Sequence, residues 1–421
     1  MTAELAVLNR TAVALAADSA STALQATGLP KIFNTADKLF HLDGISPIGI
    51  MVYGNASFMG VPWETIIKRY RSAAPSPSAS LESAAEKFIA FLSTPQLLSD
   101  DHIRKWIELH IQELAGEAAR LVKSEKERIG ATATVGGVVA DVFANIQGWQ
   151  MLPGITQAET DAFVTEWDNA LTAAIDVAFA SDPPDAAAKQ ILKEIVARAN
   201  LTRPQVSDSM VSGVVVAGFG EDELFPVLWN CQMRSVLTTR ALQRSNGECE
   251  PLTMDATAMI RAFAQGDMVY SFMRGIDSNL RQMIEGGISE LMQKYADHLA
   301  TLTGFVGPPL TAFKTSATAT ATSLSQGLRD EIERYCRAKH VDPVLGAIGL
   351  LPKDQLAVMA ETLVSLTSFK RKMSRDAETV GGDVDVAVIS KGDGFVWVKR
   401  KHYFPPDLNL RYTERIKKGQ K

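Results

Sequence analysis

Two short apolar runs separated by a polar turn open the chain. Residues 4–8 and 12–17 are almost entirely apolar, and Asn9 and Arg10 stand between them. This pattern predicts a buried β-hairpin. Two further apolar segments, KLFHLD and SPIGIMVYGNAS, flank residues 44–47, which contain glycine and proline. We therefore expect the first sixty residues to be rich in β-strands.

Apolar residues at helical spacing follow this β-rich region. A helix is predicted over 58–71, and RSAAPSPSAS at 71–80 is typical of a polar, proline-containing linker. From 81 to about 200 the spacing is helical, apart from a glycine-rich break, GATATVGGVV, at 130–139. Residues 72–205 are therefore predicted to be a helical insertion in a β-rich scaffold.

The second half of the chain alternates between the two kinds of pattern. The predicted elements are strands at 211–218, 224–237 and 256–264, helices at 268–302, 323–338 and 353–373, and strands at 384–389 and 395–399. The order of strands, helices, strands, helices and strands favours an α+β fold over alternating βα units. We expect a helical extension at 276–350 and a basic C-terminal tail at 401–421.

The charge balance limits the kinds of partner. Among 421 residues, 43 are basic and 48 acidic, which gives a formal net charge of −5. A negative chain does not favour electrostatic binding to nucleic acid or to an anionic membrane. No apolar run is as long as a membrane span, and no basic segment precedes an apolar signal core. We expect a cytoplasmic protein with neither nucleic acid nor membrane as a partner.

Cysteine and histidine spacing does not indicate a metal site. The three cysteines contain no CxxC pair, and His102 and His110 lack a third ligand at metal-site spacing. Neither a metal nor an organic cofactor is expected. Any catalysis by this protein would therefore depend on side chains other than cysteine and histidine.

Thr2 is a candidate nucleophile, since removal of Met1 would make it the N-terminus. A threonine hydroxyl is scarcely ionised near neutral pH and needs a base beside it. A free α-amine has a reference pKa of roughly 7.7 to 8.0, so a sizeable fraction can accept the hydroxyl proton at pH 7. An N-terminal threonine thus supplies both groups without a histidine.

Several segments together resemble one known family. The opening hairpin, KLFHLD, IGIMVYGNAS and the late run SRDAETVGGDVDVAVISKGDGFVWV are similar to the proteasome β-subunit and bacterial HslV family of N-terminal nucleophile (Ntn) hydrolases. The resemblance covers about 2–71, 210–275 and 353–400. It implies a four-layer αββα sandwich of two antiparallel sheets, formed by 1–71 and 206–400. The two helical blocks have no counterpart in that family.

The resemblance also implies which residues are catalytic. The implied set is Thr2 as the nucleophile, Asp18 and Lys38 beside it, Gly54 as a backbone donor to the oxyanion, and Asp376 and Thr379 supporting the α-amine. Lys31 in PKIF remains a rival for the lysine. Where the family carries a serine in a tight turn before a helix, this chain reads Gln265, Gly266 and Asp267.

These residue types suit the proposed chemistry. A Lys38 ammonium near the Thr2 amine would lower the pKa of that amine, and Asp18 would keep Lys38 charged and oriented. A glycine allows close approach of its N–H to an oxyanion, and loss of one such donor typically costs about 3 to 4 kcal/mol. Asn55 offers a side-chain amide next to Gly54.

The expected function is that of a threonine-type hydrolase or peptidase. It would cut amide bonds of a peptide or protein substrate through an acyl-enzyme on Thr2. The resemblance further implies a homo-oligomeric ring, and an ATPase partner stays open. Two alternatives remain: a catalytically inactive scaffold or partner-binding protein of the same fold, and a small-molecule amidase in which the helical insertion covers a pocket.

Overall fold

The structure, a computed structural model, describes residues 3–24, 30–73, 75–130, 134–202, 211–237, 240–243, 247–374, 381–402, 404–405, 408–411 and 414. The strands over these residues are β1 (Ala3–Asn9), β2 (Ala12–Ala17), β3 (Ser21–Leu24), β4 (Pro30–Phe33), β5 (Leu39–His41), β6 (Ile48–Gly54), β7 (Ser57–Phe58), β8 (Val61–Pro62), β9 (Ser212–Gly218), β10 (Val227–Leu237), β11 (Arg240–Gln243), β12 (Glu248–Pro251), β13 (Ala258–Ala264), β14 (Asp385–Ser390) and β15 (Gly394–Lys399).

The helices over the same residues are α1 (Trp63–Ser72), α2 (Leu81–Phe91), α3 (Asp100–Ile129), α4 (Val135–Ile146), α5 (Gln157–Glu166), α6 (Asp168–Ala178), α7 (Ala186–Leu201), α8 (Asp267–Arg274), α9 (Ser278–Leu302), α10 (Pro308–Cys336), α11 (Asp342–Ile348) and α12 (Lys353–Met373). A π-helical turn, Arg337–Val341, joins α10 to α11. The expected α+β class is confirmed, with the opening and closing hairpins at the predicted places.

Two antiparallel sheets form the centre of the molecule. One has five strands in the order β13-β1-β2-β14-β15. The other has six, in the order β11-β10-β9-β6-β5, with β12 paired to β10. Strands from both ends of the chain meet in the first sheet, because β14 pairs with β2 in antiparallel register.

The two sheets pack face to face. Successive side chains of a strand point to opposite faces, and both faces of the central strands are apolar. Leu15 of β2 and Ile389 of β14 lie in one buried cluster with Met51 and Val215 of the six-stranded sheet. Their neighbours along the strands, such as Ala14, face the other way. Burial on both faces explains why these strands read as continuous apolar runs.

Helices cover the outer faces of both sheets. α8, α11 and α12 share a hydrophobic cluster with the outer face of the five-stranded sheet. α1 and α2 lie on the six-stranded sheet, and α3 to α7 continue the same cluster away from it. Arg234 of β10 donates to the carbonyl of Asn200, 2.7 Å away, at the end of α7. The block expected to be an insertion thus shares its core with a sheet.

The glycine-rich break predicted at 130–139 is partly wrong, because α4 begins inside it. Thr134 caps this helix, and its hydroxyl accepts a hydrogen bond from the Gly137 N–H at 3.2 Å. The glycines therefore lie in the first turn, where N–H groups have no partner within the helix. Val138 and Val142 then pack into the core. The apolar periodicity of α4 was hard to recognise in the sequence, because two adjacent glycines occupy its first turn.

Two other predicted helices have different starts. The helix expected from residue 58 begins at Trp63, because Met59 and Gly60 form a turn with φ values of 51° and 78°. The helix expected from 323 begins at Pro308. Proline is well tolerated there, because the N–H group that it lacks would have no partner within the first turn of a helix. The first half of α10 is rich in threonine and alanine, so apolar periodicity does not mark it.

We expect His41 to make the protein more sensitive to acid. Its ring stacks on Phe395 with centroids 4.9 Å apart, and Nε2 lies 2.7 Å from the Ser46 carbonyl oxygen. Burial is the main cause that lowers the pKa of His41 from its ordinary value of 6.5. The unfolded chain therefore binds the proton more readily, so stability contributed by neutral His41 is present above about pH 6.5 and lost as the pH falls below it.

Thermal unfolding of His41→Gln between pH 7.5 and 5 measures this effect. We expect the Tm of the variant to fall less between pH 7.5 and pH 5 than that of the wild type, whatever its Tm at pH 7.5. His298→Gln, a change at an exposed histidine of α9, is the matched control and should follow the wild-type curve. Equal slopes for His41→Gln and the wild type would contradict the assignment.

Candidate active site

Asp18 lies immediately after β2 and is almost completely buried, at 1% exposure. Its Oδ1 accepts hydrogen bonds from the Ala3 N–H at 3.0 Å and from Lys38 Nζ at 2.5 Å. Its Oδ2 accepts from the N–H groups of Gly381 at 3.0 Å and Ala20 at 3.3 Å. One carboxylate thus joins the start of the chain, the lysine and the segment that leads into β14.

Lys38 reaches Asp18 from the other sheet. It directly precedes β5, and its carbonyl accepts a hydrogen bond from the Val52 N–H at 2.9 Å, which extends the pairing of β5 with β6. Its side chain is buried. The rival Lys31 lies in β4 and is exposed, with Nζ 5.1 Å from the ring centroid of Phe33. Lys38 is therefore the lysine beside Asp18.

Glu4 is a member of this cluster that the sequence analysis did not single out. It lies in β1 at 1% exposure, and its Oε1 is 3.6 Å from Lys38 Nζ. Two carboxylates and one ammonium give the cluster a formal charge of −1. The available signal was strand alternation, which puts Glu4 on the same face as Ala6 and Leu8, between the sheets.

Further polar side chains lie at the same end of the space between the sheets. Tyr53 of β6 donates to the Asn230 side chain, with Oη 3.3 Å from Oδ1. Burial raises the pKa of Tyr53 above 10.0, a hydrogen bond with Gln232 opposes this, and the charge of Glu4 adds to it. Tyr53 also requires a glycine beneath its ring, because a Cβ on Gly213 would lie 1.9 Å from Cζ.

Gly54 ends β6 in a conformation that only glycine adopts easily. Its φ is +80°, and a Cβ there would lie 2.6 Å from the Val211 carbonyl oxygen. The next N–H, that of Asn55, donates to the same oxygen at 3.1 Å. The Asn55 side-chain oxygen accepts from the Ser57 N–H at 3.0 Å. Gly54 thus has a structural role, and its part in an oxyanion site stays a prediction.

Three predicted site residues, Thr2, Asp376 and Thr379, lie outside the residues that the structure describes. The residues next to them are in the cluster, since Ala3 and Gly381 both donate to Asp18. The Ser19 N–H also donates to the Gly381 carbonyl at 3.2 Å, and the Ser19 hydroxyl donates to the Asp383 carbonyl. The described ends of both segments therefore meet at Asp18.

The turn at residues 265–267, where the sequence differs from the family that it resembles, leads into α8. Gly266 is the residue before the first turn of this helix, and Gln265 is buried. Asp267 pairs with Arg371 of α12 at 3.5 Å, where its carboxylate is more than half exposed. The sequence difference is thus accommodated in a regular helix start.

Two of the three thiols are poorly suited to act as a nucleophile, because their pKa values are raised. Cys231 is buried, and its burial raises the pKa of the thiol to about 12. Burial also raises the pKa of Cys249 to about 11. Within the described residues, no group of three or more His, Cys, Asp or Glu side chains could hold a metal ion. No helix in that part of the chain is both long enough and apolar enough to cross a membrane.

The fold and the site together define an α+β protein with a buried carboxylate and lysine cluster where two packed antiparallel sheets meet. The chain matches no protein-family model and no curated protein. Its function is therefore inferred from the geometry of this cluster.

Proposed function

We propose that the protein is a threonine-type Ntn hydrolase of the proteasome-like family, which cuts amide bonds of peptide or protein substrates with Thr2. The observation that carries the proposal is that the Ala3 N–H and the Lys38 ammonium donate to the same oxygen of Asp18. Ala3, the residue that follows Thr2, is thereby tied to a buried ion pair between the two sheets. The helix-covered sandwich supports the four-layer Ntn fold.

Covalent geometry limits how far the nucleophile can be from this ion pair. Every atom of residue 2 lies within about 5 Å of the Ala3 nitrogen, since at most four bonds separate them. That nitrogen is 3.0 Å from Asp18 Oδ1, which in turn is 2.5 Å from Lys38 Nζ. These lengths together place an upper limit of about 10 Å on the distance between the lysine ammonium and the hydroxyl and amine of a processed Thr2.

In the proposed reaction, the Thr2 hydroxyl attacks the substrate carbonyl while the Thr2 amine takes its proton. The oxyanion of the tetrahedral intermediate accepts a hydrogen bond from the Gly54 N–H. Collapse of the intermediate expels the amine product, which receives the proton, and leaves an ester on Thr2. Water then attacks this ester and releases the acid. Asp376 and Thr379 would hold the amine.

The cluster charges act on the amine in opposite directions. The ammonium of Lys38 favours the neutral amine and so lowers its pKa, whereas the carboxylates of Asp18 and Glu4 favour the protonated form. Glu4 therefore changes the balance expected from Asp18 and Lys38 alone. In this proposal the main task of Asp18 is to orient Lys38 and the backbone of Ala3.

One observation favours a second candidate, an inactive scaffold of the same fold. The turn that leads into α8 reads Gln265, Gly266 and Asp267, so the serine of the family's constellation is missing there. The acid and the lysine are present all the same. A chain with this composition could retain the architecture of the site while binding a partner without hydrolysis. A homo-oligomeric ring belongs to both candidates.

Labelling with an electrophile that needs both groups of an N-terminal threonine tests the proposal. One molecule of a peptide epoxyketone reacts with both the hydroxyl and the amine of the same residue. Only a chain that has lost Met1 can therefore form this adduct. We expect the intact mass to show loss of Met1 and one adduct per chain, located on Thr2 by fragmentation.

Two matched variants make the test specific. Thr2→Ala should form no adduct, whereas Lys31→Met, a change at the exposed lysine, should be labelled like the wild type. Retention of Met1 would overturn the proposal. A processed chain that forms no adduct and does not cleave a peptide library would overturn hydrolysis and support the inactive scaffold.

A further inference from the structure

The helices α9 and α10 form an antiparallel hairpin that extends away from the sandwich. Arg281 bonds to Glu333 at 2.7 Å, and Gln293 bonds to Thr318 at 3.1 Å, across the two helices. The hairpin meets the rest of the chain mainly at its base, through α8 and the π-helical turn. Its buried side chains are small, and they are Ala296, Ala300, Ala321, Ser325 and Cys336.

α9 carries an apolar stripe that α10 does not cover. Ile284, Ile288, Leu291, Tyr295 and Leu302 follow one another at spacings of four, three, four and seven residues. These are the spacings of a heptad repeat, which keeps a stripe facing a neighbouring helix. All of them except Ile288 are exposed. The opposite side of this helix carries Glu290, Lys294 and Asp297, and one exposed apolar residue, Met283, lies among them.

α10 carries a second, shorter stripe formed by Leu324, Leu328 and Tyr335, which is also exposed and is interrupted by Glu331. Each stripe is offset by one residue from a side chain buried within the hairpin, since Tyr295 precedes Ala296 and Leu324 precedes Ser325. One residue is a rotation of about 100°. Because the helices run antiparallel, equal rotations in the same sense along each chain bring both stripes to one side of the hairpin.

The combined surface has the size of a protein interface. Ile284, Leu291, Tyr295, Leu302, Leu324, Leu328 and Tyr335 are between 36% and 68% exposed. Together they leave roughly 800 Å² accessible, which is about the area that one partner buries in a standard interface. Isolated monomers rarely leave an apolar area of this size open to water.

We propose that this surface, the hairpin face, binds the hairpin face of a second copy of the chain, so that the four helices form a bundle. A heptad stripe fits a helix that runs along it, and two stripes side by side fit a pair of helices. A face made of two antiparallel helices is complementary to itself under a two-fold axis, which is the symmetry of most homodimers. The proposal is independent of hydrolysis at Thr2.

Sedimentation velocity of the full chain between about 1 and 100 µM tests the proposal. The wild type should sediment as a dimer or as an assembly with an even number of chains. A variant with Leu291→Glu and Leu324→Glu places two carboxylates in the hairpin face. We expect it to halve the mass of the assembly, or to weaken self-association at least about tenfold, because each carboxylate would have to be desolvated.

A charge-matched control separates the hairpin face from a general effect of charge. Gly286→Glu with Ser323→Glu adds the same two carboxylates on the other sides of α9 and α10, where both positions are exposed. This control should sediment like the wild type. Circular dichroism should show unchanged helix content in both variants.

Three results would overturn the proposal. The first is a wild-type chain that is monomeric at 100 µM. This result overturns the proposal even if the monomer binds phospholipid vesicles or another protein through the hairpin face. The second is a Leu291→Glu, Leu324→Glu variant that keeps the wild-type mass. The third is a control that dissociates to the same degree.

Discussion

Replacement of Lys38 by methionine is expected to destabilise the protein by about 3 to 5 kcal/mol. The change removes the ammonium that lies 2.5 Å from Asp18 and 3.6 Å from Glu4, and both carboxylates are 1% exposed. Methionine preserves the length and the apolar stem of the side chain. The expected loss therefore comes from two buried negative charges that remain together without a cation.

Chemical denaturation of Lys38→Met beside Lys31→Met measures this effect. Lys31 is exposed, so its replacement should change the free energy of unfolding by less than about 0.5 kcal/mol. Adding Glu4→Gln to Lys38→Met should recover part of the lost stability, because it removes one of the two unpaired charges. Similar losses for Lys38→Met and Lys31→Met would show that the cluster is not coupled in solution.

Lys38→Met also separates the stability of the site from its chemistry. If the protein is a Thr2 hydrolase, the variant should lose labelling by the epoxyketone even at temperatures where it remains folded. The combined variant Lys38→Met, Glu4→Gln should regain stability without regaining labelling, since the ammonium is still missing.

The second large effect is expected for Gly54→Ala, which should lower the free energy of unfolding by about 3 kcal/mol or more. The residue has a φ of +80°, which a residue with a Cβ adopts at a cost of about 1 to 2 kcal/mol. The added Cβ would also meet the Val211 oxygen at 2.6 Å, so β6 and the segment before β9 would have to separate.

Gly60 provides a matched control for this prediction. Its φ is +78°, and a Cβ there has no heavy atom within 4 Å. Gly60→Ala should therefore show the backbone cost alone, about 1 kcal/mol, in the same denaturation experiment. If the two variants unfold at the same denaturant concentration, the close approach to the Val211 oxygen is not the reason why residue 54 is a glycine. Any folded Gly54→Ala should also be impaired in labelling, because the candidate oxyanion donor moves with the strand.

Most strands and helices are predictable from local pattern. The hairpins at both ends and α12 lie where apolar spacing indicates them. The elements that differ from expectation have local reasons: α4 starts on glycines, and α10 starts in a run of threonine and alanine. The single helix expected at 268–302 is wrong, because Gly275, with a φ of 70°, ends α8 before α9 begins. The small strands β3 and β4 carry no strong alternation, so they escaped prediction.

The candidate site was only partly accessible from sequence. Spacing alone could not choose between Lys31 and Lys38, because both precede short apolar segments. Glu4 was visible as the one acidic residue in an apolar strand, but its relevance depends on what faces it across the sheets. Thr2, Asp376 and Thr379 remain predictions from the family resemblance.

For this protein, the sequence by itself determined the α+β class, the two β-rich regions and the apolar hairpin on which Asp18 lies. These follow from interactions between residues close in the chain, which periodicity and turn residues report directly. Only the tertiary structure decided that Lys38 is the lysine that meets Asp18, that Glu4 joins them and that no described residue covers the hairpin face of α9 and α10. Each of these depends on packing between segments that are distant in sequence, where a shift of one residue would turn the side chain to the other face.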